Sequence, residues 1–123
     1  KQIGLAARLW ANDHKDVLPE DFLSMTNELS TPKILFCPAD THRQRSSTWA
    51  EFTAQNLSYE LISPGVEDKY PDVVFTRCPI HHSVLLTDGS AHHLGPSDRI
   101  VDVDGRKKIS RGTPEATKAK AAP

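Results

Sequence analysis

A short phrase that occurs twice restricts what this chain can fold into. A few apolar residues run up to a cysteine, and a proline follows at once. The phrase stands at Ile34-Leu35-Phe36-Cys37-Pro38 and again at Val73-Val74-Phe75-Thr76-Arg77-Cys78-Pro79, and it uses both cysteines of the 123-residue sequence. Proline fixes φ and has no N–H to give to a sheet ladder, so each cysteine falls where an extended run must turn. The simplest account is that the two cysteines meet. As a disulfide, Cys37–Cys78 would close a loop of roughly 40 residues and stabilise the fold by about 4 kcal/mol. It would also imply an oxidising compartment.

Two other readings of the same residues compete with the disulfide. A zinc site would use Cys37, Cys78 and His81 or His82, the basis of a zinc-stabilised binding module. Structural zinc sites usually bring ligands in close pairs such as C-x2-C, and here each cysteine stands alone, so the disulfide is favoured and no metal ligand is assigned. A catalytic cysteine would need a base and an orienting group. His81 is close to Cys78 in sequence, but the intervening proline does not guarantee contact. Ser83 and Ser90 lack the G-x-S-x-G elbow. The expectation is a non-enzymatic protein without a cofactor.

Along the chain, Lys1–Asn12 reads as a helix in which Ile3, Ala7 and Trp10, with Ala6 and Leu5/Leu9, recur at three- and four-residue steps. Ile3, Ala7 and Trp10 should face a sheet, and Arg8 solvent. Asn12-Asp13-His14-Lys15-Asp16 reads as a solvated turn, because its spacing does not match a calcium loop. Leu18-Pro19-Glu20-Asp21-Phe22 starts a second short helix with Phe22, Met25 and Leu29 on one face, and Ser30-Thr31-Pro32 stops it. Strands are expected over Lys33–Cys37, Leu57–Ser63, Val73–Arg77, Ser83–Thr87 and Ser90–Leu94. Asp88-Gly89 reads as a two-residue hairpin turn. Arg99–Val103 is a final edge strand, with Asp104-Gly105 as its turn and Arg106–Ser110 as a weak partner. Helices first and then a small antiparallel sheet is the α+β pattern. The domain covers 1–111, and 112–123 reads as a disordered tail.

Charge offers no partner. Fifteen basic and sixteen acidic residues give a net charge of −1, which does not call for a polyanion. The late bases Arg106, Lys107, Lys108, Arg111, Lys118 and Lys120 carry no interleaved aromatics, so they read as a solvated tail rather than a nucleic-acid contact. His81, His82, His92 and His93 flank the Asp-Gly turn in two adjacent pairs. One of each could sit across the hairpin from one of the other, but a half-exposed polar hairpin is preferred over a metal site there. Asp88 reads as a turn residue.

Several of these residues carry a resemblance. The Lys1-Gln-Ile-Gly-Leu-Ala6 helix end, the Trp10-Ala-Asn-Asp13 turn, Cys37-Pro-Ala-Asp40, Arg77-Cys-Pro-Ile-His81 and Asp88-Gly-Ser90 together resemble prepilin-type proteins, the G-like pseudopilins of type II secretion systems. The match covers roughly residues 1 to 93. It implies a truncated pilin helix packed on a small antiparallel sheet, and a structural subunit of a type II secretion pseudopilus or type IV pilus-like filament. It also implies a head on the periplasmic face of the inner membrane. A missing apolar half-helix would supply the anchor, and other pilin or pseudopilin subunits and the secretion machinery would be the partners. The fragment alone is expected to be a monomer. Part of the family carries an H-x9-D-G pattern whose histidine position is Cys78 here, so that histidine's role does not carry over. Calcium ligands known in some secretion pseudopilins map onto no residues of this chain.

Overall fold

Ile3, Ala6, Ala7 and Ala11 bury one side of helix α1, which runs Gln2–Asn12 in the computed structural model; the structure describes residues 2–112. That stripe of small side chains lets the helix axis come close to the sheet beneath it. Gly4 marks the closest approach. A Cβ placed there would stand 3.1 Å and 3.2 Å from the two methyl carbons of Leu85 and 3.4 Å from Gly89 Cα. Gly4→Val should therefore lower stability by about 1–3 kcal/mol, as overpacking does, despite removing a poor helix former. Thermal denaturation of the two proteins checks this, and an unchanged midpoint would place the helix farther from the sheet.

The helix is two-faced in a way that its spacing alone does not resolve. Leu5 and Leu9 lie outside the buried stripe, 64% and 49% exposed. Trp10 is half-buried at the margin of the core and stacks on His14 with centroids 3.5 Å apart. The expected sheet-facing set is thus corrected at Trp10: Ala11 takes the deep position one step on, and the indole covers the turn instead. Arg8 is exposed, as expected, and donates to Asp68 at 2.8 Å and to the Thr87 carbonyl at 3.1 Å. The 12–16 turn is closed by the Asp16 N–H on the Ala11 carbonyl at 3.0 Å.

The second helical segment begins later than Pro19. A 3-10 turn over Leu23–Met25 leads into helix α2, Thr26–Leu29, and the Asp21 carboxylate accepts the Ser24 N–H and hydroxyl, both at 2.7 Å. Phe22, Met25 and Leu29 are all buried, together with Leu18. The strand expected at Lys33–Cys37 is a 3-10 turn over Pro32–Leu35. The reason lies in Thr31-Pro32. Thr31 Oγ1 accepts the Lys33 N–H, and proline suits the first helical position, so the pair that ends one helix also starts the next.

Four short strands make one antiparallel sheet in the order β1-β2-β3-β4: β1 Glu60–Leu61, β2 Val74–Cys78, β3 Ser83–Leu86 and β4 Ala91–His93. The protein is α+β, with an N-terminal helix and this small antiparallel sheet. Only two residues of the expected Leu57–Ser63 strand pair with β2. Ser58, just before β1, is 2% exposed, and its hydroxyl is used inside. Val74, Phe75 and Thr76 are all buried, so β2 does not alternate. A bulge explains this. Val74 pairs with Leu86 and Thr76 with Leu85, leaving Phe75 as the extra residue. Its carbonyl turns to accept the N–H groups of Ile62 and Ser63 at 2.8 Å and 3.2 Å.

The link between β3 and β4 is four residues, not two. Thr87 leaves the ladder to give both its N–H and its hydroxyl to the Val73 carbonyl, and the Asp88 carboxylate accepts the Ser90 N–H. A two-residue turn does occur at Asp104-Gly105, with φ of 55° and 82°. It joins β5, Arg99–Val103, to β6, Arg106–Ser110. These two strands form a separate hairpin rather than an edge of the main sheet, tied back by a bridge from Val73 to Lys108. The late basic residues hold it. Arg106 lies over the Tyr70 ring, and Lys107, Lys108 and Arg111 pair with Asp102, Asp72 and Asp98. They are not part of a solvated tail; Lys118, Lys120 and the rest of the tail from 113 lie outside the described residues. Gly112, placed in the tail by sequence, donates its N–H to Asp98 at 3.1 Å.

Candidate cysteine-histidine site

The two Cys-Pro corners meet. Cys37 follows the 3-10 turn, and Cys78 ends β2, where it pairs with Ser83 across the hairpin. Both are buried, at 1% and 6% exposure. Their sulfurs stand 3.8 Å apart, outside bonding distance, so the structure presents two thiols side by side rather than a formed disulfide.

A third group completes the site. The four residues 79–82 form the turn between β2 and β3, and His82 adopts a left-handed φ of 54° to close it. This directs His81 back over the cysteines. Its Nδ1 stands 3.2 Å from Cys37 Sγ and 3.5 Å from Cys78 Sγ. Among the described residues, this trio is the only group of three or more His, Cys, Asp or Glu side chains gathered closely enough to hold a metal ion. The sequence placed His81 and His82 on equal terms; the fold separates them. His82 instead lines an open pocket of about 650 Å³ with Arg77 and His93. His92 and His93 pair across the hairpin with Val84 and Ser83, not with the other histidines, and His92 Nε2 meets Ser90 Oγ at 2.9 Å. The signal that reveals His81 is Cys78-Pro79-Ile80-His81, itself a close C-x2-H pair, which a search for paired cysteines passes over.

The Cys37 corner is held by a buried carboxylate. Cys37 N–H donates to Ser58 Oγ at 2.9 Å, and that hydroxyl donates to Asp40 Oδ2 at 2.8 Å. Asp40 also accepts the N–H groups of His42 and Arg43 and the Arg43 guanidinium, and its own N–H returns to the Cys37 carbonyl at 2.9 Å. Burial alone would raise the Asp40 pKa. The Ser58 hydroxyl, the His42 amide and Arg43 together outweigh it and hold the carboxyl well below the usual carboxylate range. Burial pushes the Cys37 thiol up, and the neighbouring Cys78 and Asp40 add to that. Tyr59, close enough to feel both cysteines, is pushed up to about 12, first by burial.

A pH dependence follows from Asp40. A carboxyl whose folded pKa is depressed contributes stability that is complete above its unfolded pKa and drains away as pH falls toward the folded one. The protein should lose stability progressively below about pH 5. In Asp40→Asn that acid limb should be shallower, and the variant should be less stable at neutral pH. Urea midpoints between acid and neutral pH check both, and parallel curves for the two proteins would contradict the role given to Asp40.

No protein family, curated protein or solved structure matches the chain.

Proposed function

We propose that this domain is the head of a pseudopilin-like structural subunit, one that assembles into a type II secretion or type IV pilus-like filament and does no catalysis. One observation carries the reading. Helix α1 buries Ile3, Ala7 and Ala11 and comes up to Leu85 of the sheet at Gly4, while it turns Leu5 and Leu9, one helical turn apart, outward. Two leucines on the solvent side of an amphipathic helix are apolar surface that a contact between helices would cover. We assign the Leu5/Leu9 ridge to contact with the same helix in neighbouring copies. The order of helix, Cys-Pro corner and sheet is the order that the resemblance to prepilin-type proteins implies.

In the same reading the full-length protein is anchored at the inner membrane by an apolar helix that leads into α1, with the head on the extracytoplasmic face. Among the described residues no helix is long and apolar enough to cross a membrane. In the oxidising environment of that compartment, Cys37 and Cys78 close as a disulfide. The partners are other pilin or pseudopilin subunits and the secretion machinery.

Burial yields roughly 25 cal/mol per Å² of apolar area, and two leucines offer little of it. The domain alone should therefore sediment as a monomer at low micromolar concentration. A stable oligomer of the isolated domain in that range would contradict the assignment of assembly to the preceding helix.

A further inference from the structure

We propose that the reduced Cys37–His81–Cys78 triangle is a zinc(II) site with three protein ligands and one position open to solvent. This goes beyond the filament reading and does not rest on it. Geometry is the first argument. Zinc bound tetrahedrally at about 2.3 Å to sulfur and about 2.0–2.1 Å to nitrogen sets its ligands about 3.8 Å (S···S) and about 3.5 Å (S···N) apart. The corresponding separations here are 3.8 Å between the sulfurs, and 3.2 Å and 3.5 Å from His81 Nδ1 to each. One ring nitrogen faces both sulfurs, so a single point serves all three donors.

The ligand set is chemically coherent. Two thiolates and an imidazole suit zinc and exclude magnesium and calcium, which take oxygen ligands. Cys78 and His81 form a close pair on one turn, and Cys37 arrives from a distant segment, giving the three protein ligands of an open zinc site rather than the four of a closed structural one. The Cys37 corner is fixed from behind by Ser58 and Asp40, the kind of outer support that orients a ligand before metal arrives. The fourth position opens outward. Cys78 and His81 line a cleft of about 360 Å³ beside Tyr59 and the start of α1, and His81 is exposed. Among the described residues no further His, Cys, Asp or Glu joins the trio, so water or an external ligand takes that place.

Zinc and the disulfide are then exclusive states of one site. The exchange is driven by an external disulfide. Cys37 and Cys78 each give up one electron and form the S–S bond; the external S–S bond breaks, its two sulfurs take two protons and leave as thiols, and zinc is released to solvent.

The test uses the reduced chain, stripped of metal, with zinc(II) and cobalt(II) as probes. Expected are one equivalent bound per chain and a cobalt spectrum with thiolate charge transfer and tetrahedral d–d bands, erased by zinc. His81→Ala should weaken zinc binding about tenfold or more, and His93→Ala should leave it unchanged. Treatment with an external disulfide should release the zinc as two thiols disappear. Zinc affinity no higher than that of the Cys37→Ser/Cys78→Ser double variant would overturn the proposal, as would unchanged affinity in His81→Ala. Because the serine variant can misfold, the cobalt spectrum of the unaltered reduced chain is decisive by itself: absence of thiolate charge transfer also overturns the proposal. None of these readouts depends on filament assembly.

Discussion

Oxidised protein is expected to unfold with about 4 kcal/mol more free energy than the same protein with its two thiols reduced. The figure comes from the chain entropy that a cross-link across roughly 40 residues removes from the unfolded state. The folded state is already arranged for it. Both sulfurs are buried and 3.8 Å apart, and bond formation needs them at about 2.05 Å. The Cys37 backbone is pinned on both sides by Ser58 and Asp40, so the closure falls to the side-chain torsions. Non-reducing peptide mapping establishes the bond, and urea unfolding with and without reductant reads the gain. Free thiols after exposure to an external disulfide would sink the pairing. A bonded form no more stable than the reduced one would mean that strain cancels the entropic term. With zinc present, the reduced protein should recover part of the difference, since metal that binds only the folded chain stabilises it.

Phe75→Ala is expected to cost about 3–5 kcal/mol, a large part of the roughly 5–15 kcal/mol available to a domain of this size. Phe75 is the largest fully buried side chain and belongs to the cluster that joins Ile3 and Ala7 of α1 to Met25, Leu29 and Leu35. It enters that cluster from the bulge, so neighbouring backbone cannot simply collapse into the space it leaves. Its carbonyl, already committed to Ile62 and Ser63, fixes the strand in place. The urea midpoint should fall with the slope unchanged, and Phe75→Leu should cost markedly less. A stability loss below about 1 kcal/mol would show that the helix, the loops and the sheet do not share one core.

Much of this architecture can be read in the residues. The two Cys-Pro corners announce their meeting, Asp104-Gly105 announces its turn, and Phe22, Met25 and Leu29 announce a buried face. What cannot be read depends on tertiary context. Thr31-Pro32 is equally good as a stop and as a start, and only the Lys33 N–H bond to Thr31 decides for the start. Ile3, Ala7 and Trp10 fit a helical stripe as well as Ile3, Ala7 and Ala11 do; the fold buries the small Ala11 and leaves the indole at the rim. Apolar character in β2 gives no hint that Phe75 is the extra residue of a bulge. At the site, the cysteines were legible, but the choice of His81 over His82 depends on the turn conformation at 79–82 and the positive φ of His82. Nothing in the isolated sequence separates two adjacent histidines.

The filament assignment is tested most directly by photocross-linking the full-length protein in its native membrane, with the reactive group at position 5 or 9 of α1. These positions are 64% and 49% exposed in the isolated domain, so a reactive group there can reach a neighbouring copy. We expect a ladder of covalent multimers whose cross-linked peptides join α1 of one copy to the equivalent helix of another, weakened when the leucine left at the other of the two positions is replaced by lysine. A full-length protein that is freely soluble in the cytoplasm, or a membrane-bound one that yields no cross-links between copies from either position, would contradict the account.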